Sequence, residues 1–129
     1  MSAWSLARLA QAMSTRPNDD ARLRLFFEFM RGADEARGAA GDAALILVVD
    51  EAPIIGDARF DALVAAAGEH VALRCGQPGP QWTVGAGRFL AEPWWVCDLA
   101  SARAEAAVST PAPFRNRNVF ISERDLVSV

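Results

Sequence analysis

The chain contains no lysine and no tyrosine, so all 13 of its basic residues are arginine. It also carries 26 alanines. Arginine, alanine and glycine have GC-rich codons, whereas lysine and tyrosine have AT-rich ones. The bias therefore reads first as a high-GC bacterial genome. The competing reading is that arginine is kept for bidentate contacts to phosphate or carboxylate. The alanine excess favours the genomic reading, because alanine has no such use.

Other absences narrow the function classes. Cys75 and Cys97 are the only cysteines, 21 residues lie between them, and His70 is the only histidine. This matches neither zinc-ligand spacing nor a secreted disulfide framework, and buried free thiols are the expectation. No run of 18 apolar residues occurs, so no transmembrane helix is expected. No basic-plus-apolar block opens the chain, so a cytoplasmic location is expected. The net charge of −3 argues against a dedicated nucleic-acid binder. There is no Gly-x-Ser-x-Gly, no Walker loop and no dinucleotide fingerprint; Gly85-Ala86-Gly87 is too short and no βαβ pattern surrounds it.

What is present is a 129-residue chain that is 52% apolar and 22% charged, the mix of one globular domain. Its acid is concentrated in the middle, in Asp42, Asp50, Glu51, Asp57, Asp61 and Glu69. Such a cluster either faces a basic partner or forms a solvated surface.

Periodicity predicts a mostly helical single domain over 1–129, a bundle of five or six helices with an irregular aromatic region. Residues 1–18 would be an N-terminal helix and linker, and 19–129 the core. A first helix is expected over 3–13, broken near Pro17. A second, about 19–37, has Asn18 or Asp19 as cap, with Leu23, Phe26, Phe27, Met30 and Ala33 on one stripe. Leu25 and Phe29 widen that face. Arg24, Glu28, Arg31 and Glu35 are spaced for ion pairs on the other side, and Gly38 and Gly41 end the helix.

The run 43–49 (AALILVV) fits a buried strand or a buried helix. Helix is preferred, because no second clear strand stands ready to pair and Asp42 can cap it. The clearest helix is about 57–74, opened by Asp57 and stopped by Gly76, Pro78, Gly79 and Pro80. Gln81–Val84 and Arg88–Leu90 read as single helical turns. A further helix over about 98–109 follows an Asp98 cap. Pro111 and Pro113 interrupt the chain. An extended Val119-Phe120-Ile121 then precedes a short last helix, with capping-box spacing at Ser122 and Asp125.

His70 has Glu69 beside it and Arg74 one turn on. It flanks the apolar stripe, which makes it a boundary histidine with a hydrogen bond; as a general base it would need a partner and a cleft. The better lead is aromatic: Trp82, Phe89, Trp94 and Trp95 lie within 14 residues of Pro- and Gly-rich chain, with Arg88, Phe114, Arg115 and Arg117 beside or after them. Tryptophan and arginine are enriched at binding hot spots. The same rings would serve equally as core anchors for an irregular loop, and both readings stay open in the sequence. Phe114-Arg115-Asn116-Arg117-Asn118 is a weak signal for single-stranded nucleic acid or phosphate.

Several segments together carry a family resemblance. They are Arg59-Phe60-Asp61-Ala62-Leu63, Ala67-Gly68-Glu69-His70-Val71-Ala72, Gln81-Trp82-Thr83, Arg88-Phe89-Leu90, Pro93-Trp94-Trp95 and Pro113-Phe114-Arg115-Asn116-Arg117-Asn118-Val119-Phe120-Ile121. Over about 20–129 the chain resembles an actinobacterial helical domain that commonly follows a helix-turn-helix in antitoxin-like regulators encoded beside nucleotidyltransferase-like toxins. The resemblance implies a helical, partner-binding role. The chain departs from that pattern by lacking an obvious helix-turn-helix and by carrying Arg115-Asn116-Arg117-Asn118 where the family shows a run of arginine. Nucleic-acid binding by this chain alone is therefore not expected.

The expectation is a non-enzymatic protein–protein interaction module, an antitoxin-like or regulatory subunit. Its contact residues would be Trp82, Arg88, Phe89, Trp94, Trp95, Phe114, Arg115 and Arg117. No catalytic residue, cofactor, metal or membrane is expected; the partner is a protein, a nucleotidyltransferase-like toxin or a second copy of the chain. The alternative is a small-molecule sensor whose aromatic pocket holds an anionic ligand through an arginine. A small enzyme using His70 ranks third.

Overall fold

Four stretches with helical apolar spacing form the longer helices, and one of them lies at the centre of the rest. The computed structural model describes residues 4–16, 18–39 and 43–126. The protein is mostly α-helical, as the periodicity predicts, with seven α-helices among the described residues and a single two-stranded ribbon.

Helix α1 (Leu6–Ser14) starts where the Ser5 hydroxyl accepts the Arg8 N–H at 3.2 Å. It buries Leu6, Leu9, Ala10 and Met13 in the main hydrophobic cluster. It is thus part of the core, not an appendage to a core beginning at residue 19. Helix α2 (Asp19–Ala39) is capped by Asn18, whose Oδ1 accepts the Ala21 N–H at 2.8 Å. Asp19 and Asp20 add favourable charge at its positive end. Phe26, Phe29, Met30 and Ala33 are buried, and Leu23, Leu25 and Phe27 pack half-buried at the edge. The ion pairs of Arg22 with Asp57 and of Arg59 with Asp19 tie this helix to the central one.

The apolar run after α2 is not a strand. It forms one helical turn, α3 (Ala43–Ile46), then turns through residues 47–50. Ala44 and Val48 point inward at i, i+4 spacing, and Leu47 O accepts the Leu6 N–H at 2.7 Å. The expected roles of Pro17, Gly41 and Asp42 lie outside the described residues.

Helix α4 (Ala58–Arg74) is the hub. Asp57 caps it through Arg59 N at 3.1 Å, and apart from Glu69 every residue from Phe60 to Ala72 is buried. A helix covered on all sides needs small residues where neighbours come close. At Gly68 an added Cβ would lie 3.1 Å from Thr83 Cγ2, 3.1 Å from Trp82 Cζ2 and 3.2 Å from Leu6 Cδ2. The neighbour is a 3-10 turn at Gln81–Val84, one of the two single turns expected there. Arg88–Leu90 is not the other one; it is irregular chain.

The ribbon is what periodicity did not show. Strand β1 (Trp94–Trp95) pairs in parallel with β2 (Val119–Phe120), with Trp94 opposite Val119 and Trp95 opposite Phe120. Between them run α5 (Ala100–Ser109) and α6 (Ala112–Arg115). Asp98 does not cap α5: the cap position is Leu99, and Asp98 pairs with Arg103 instead. Pro111 and Pro113 do not simply interrupt the chain. Pro111 takes the cap position of α6, and Pro113 sits in its first turn, where a missing N–H costs nothing. In α7 (Glu123–Leu126) the Ser122 hydroxyl accepts Arg124 N at 3.2 Å, while Asp125 N bonds Ser122 O, so the expected capping box is only half formed.

Candidate functional site

Strand alternation sorts the aromatic residues of the ribbon. Trp94 and Val119 face inward, with Trp94 edge-on to Phe60 at 5.2 Å. Trp95 and Phe120 face outward and stack at 4.5 Å with their planes 23° apart. Arg103 lies over the Trp95 ring and Arg115 over Phe120, at 5.4 and 5.7 Å from the centroids. Arg115 also donates to Ala107 O at 2.9 Å.

Three of the expected contact residues are interior, Phe114 and two arginines. Arg117 is 1% exposed and Arg88 2%. A buried guanidinium is tolerable only when its donors are satisfied. Arg117 donates to Glu69 Oε1 at 2.6 Å, Pro113 O at 2.7 Å and Thr83 O at 2.7 Å, joining α4, α6 and the 3-10 turn. Its Nε alone has no partner. Arg88 donates to Ala52 O and to Asp61 O at 3.3 Å. Desolvation lowers its pKa, and Asp61 and Glu51 oppose that shift. Each guanidinium lies under a ring: Arg88 at 4.9 Å from the Trp82 centroid and Arg117 at 4.8 Å from that of Phe89. The turn that delivers Arg117 depends on Asn118, at φ +62°, whose Nδ2 donates to Leu90 O at 2.8 Å. Asparagine adopts this left-handed backbone more readily than other chiral residues.

Phe114 is fully buried, edge-on to Phe26 and to His70. His70 is itself buried. Desolvation, helped by the Arg74 charge, pushes its pKa down to about 4 against a weaker pull from Asp34. Neutral imidazole on an aromatic ring is a packing role. Cys75 is half-buried and Cys97 exposed, so only the first approaches the expected buried thiol.

The expected residues thus fall into three places. Trp82, Arg88, Phe89 and Arg117 gather around the 3-10 turn, Trp94, Trp95 and Arg115 around the ribbon, and Phe114 in the core. Of the first group only Phe89 is largely outside, 48% exposed above its buried arginine.

Sequence reading missed the surface beside it. Trp82 Nε1 donates to Val48 O at 3.0 Å, and Arg88 reaches Ala52 O, so residues 46–56 lie against residues 81–90. The buried Asp61 carboxylate holds the same loop by accepting Ile55 N at 2.8 Å and Gly56 N at 3.3 Å. Ile54 Cδ1 lies 3.5 Å from where a Cβ on Gly87 would be. Ile46, Val49, Ile54, Val84 and Phe89 are all exposed on these two segments. The signal available was Pro53-Ile54-Ile55-Gly56, two large β-branched residues enclosed by Pro53 and Gly56 in chain with no helical period.

Among the described residues no group of three His, Cys, Asp or Glu side chains is placed to hold a metal, and no helix is long and apolar enough to cross a membrane. Comparison with family models, with curated proteins and with solved structures finds no match for this chain.

Proposed function

We propose that this protein is a non-enzymatic interaction module whose contact surface is formed by residues 46–56 and 81–90, with Phe89 as its aromatic anchor. One observation carries the reading. Phe89 is held outside on a buried, fixed arginine, so an exposed ring is presented with little freedom to lose on binding. Ile46, Val49, Ile54 and Val84, exposed on the same two segments, add apolar surface of the kind that protein–protein contacts use. The resemblance to antitoxin-like regulators gives this role a concrete form: a small subunit that covers a nucleotidyltransferase-like toxin.

The sensor alternative has less support. Its ligand would need a free arginine, and Arg88 and Arg117 already donate to backbone carbonyls and to Glu69. The His70 enzyme has less still, since that imidazole is buried against Phe114.

The test is affinity capture from the native host with wild-type protein, Phe89→Ala and Val108→Ala, the last lying on exposed α5 as a control. A stoichiometric partner held by wild type and control, and lost with Phe89→Ala, is the expected result. Equal capture by all three rejects this surface.

A further inference from the structure

Helix α5 is fastened at one end only. At its C-terminal end Thr110 is buried; its hydroxyl donates to Ala106 O at 2.6 Å and accepts the Ile121 N–H at 3.0 Å. Ser109 Oγ lies 3.2 Å from Ser122 Oγ and accepts the Glu123 N–H at 3.3 Å, and Arg115 donates to Ala107 O at 2.9 Å. The N-terminal end has no such anchorage. Leu99 sits in the cap position with φ −70° and ψ 140°, and no side chain caps the first free N–H groups. Asp98 and Arg103 pair with each other, inside the same segment. The charged contacts that leave this half are Arg103 over the Trp95 ring at 5.4 Å and Glu105 with Arg124, an exposed pair of the kind that contributes little. Of the ten residues of α5 only Ala106 is buried.

Few buried apolar contacts and an exposed backbone put such an element at the low end of local stability. Five of its ten residues are alanine, which favours helix, but that length falls short of the about 12–15 residues that hold a helix in water without tertiary support. The missing cap removes a further contribution. We infer that α5 is a hinged strap: residues 98–105 detach and unwind together about a hinge at Ala106–Thr110 while the rest of the protein stays folded. Opening carries Arg103 away from the Trp95 ring. The connection from β1 allows this, since Cys97, Asp98, Leu99 and Ala100 are all exposed. The ribbon stays in place, because Trp94 packs on Phe60 and Val119 is buried on its inner side. The strap thus bares the outer stack of Trp95 on Phe120 without disturbing the core.

The experiment is native-state amide hydrogen exchange, followed by NMR at several urea concentrations below the unfolding transition. The amides of residues 103–109 have their helical acceptors in 99–105. They should exchange as one group, at least about 100-fold faster than the amides of residues 64–72 in α4, with rates that low urea barely changes. Thr110 N–H and Ile121 N–H, bonded to Ala106 O and Thr110 Oγ1, should stay protected. Arg103→Gln should speed the group about two- to fivefold, the range of an exposed cation–π contact. Leu99→Ser, which supplies the missing cap, should slow it about fivefold. A water-soluble nitroxide should broaden the Trp95 ring signals less in Leu99→Ser than in wild type, and those of Trp94 equally in both. Protection in α5 equal to that of α4, loss of Thr110 and Ile121 protection in the same step, or unaltered exchange in the two variants each overturns the strap. Equal broadening of Trp95 in both proteins overturns the uncovering of its ring.

Discussion

Arg117 lies 48 residues from Glu69 in sequence, yet its Nη1 donates to Glu69 Oε1 at 2.6 Å inside the protein. The arginine side chain is 1% exposed and the glutamate 27%. The pair fastens the C-terminal part of the chain onto the central helix, with the Pro113 and Thr83 carbonyls as further acceptors. Removing one member of such a network leaves the others desolvated and unpaired.

Arg117→Met is accordingly expected to cost about 3–5 kcal/mol, read by urea unfolding at pH 7. Arg117→Lys should recover little of it, because one ammonium cannot reach three acceptors spread over the guanidinium fork. A loss below about 1 kcal/mol for Arg117→Met would show that this network does not hold the fold together.

Gly68→Ala should destabilise by about 1–3 kcal/mol, the range for overpacking. The new methyl meets the Thr83 side chain, the Trp82 ring and Leu6 at 3.1–3.2 Å. Thermal unfolding checks the magnitude, and a shift in Trp82 fluorescence should accompany it.

His70 gives the fold an acid-side dependence. Burial, then the Arg74 charge, holds its pKa at about 4, whereas in the unfolded chain it titrates near 6.5. As pH falls below about 6.5 the unfolded state takes up a proton that the folded state refuses. The stability carried by this group is therefore complete above pH 6.5 and is lost progressively towards pH 4, by up to about 3 kcal/mol. Urea midpoints at pH 7, 6, 5 and 4 should fall less steeply for His70→Leu than for wild type. Parallel curves would assign the acid dependence to the carboxylates alone.

The two tryptophans of the ribbon should behave differently. Trp94 faces Phe60 and the core, so Trp94→Ala is expected to cost about 3 kcal/mol or more. Trp95 stacks outside on Phe120, and Trp95→Ala should cost about 1 kcal/mol, leaving the near-native circular dichroism unchanged. Reversed magnitudes would mean that the alternation across β1 runs the other way.

Much of the helical framework was legible in the chain. The spacing in residues 57–74 predicts the central helix, and Asp57 caps it as its position suggests. Leu23, Phe26, Phe27, Met30 and Ala33 mark the inner side of α2. The parallel ribbon was not legible, because a two-residue strand has no measurable period and its partner lies 25 residues away. The run 43–49 shows a related limit: its composition fits strand or helix, and docking of Leu47 O onto the start of α1 accompanies a single turn.

The sequence by itself determined the helical class, through apolar residues repeating at three and four positions and caps that end each run. It also singled out arginines and aromatics in irregular chain as residues that matter together. Only the tertiary structure decided which side of the surface each one occupies. Arg88 and Arg117 went inside because backbone carbonyls of distant segments and Glu69 converge on their donors there, and a guanidinium can be buried only where such acceptors meet. Phe89 stayed outside on top of one of them, and Ile54 and Val84 also stayed at the surface, where no local pattern places them.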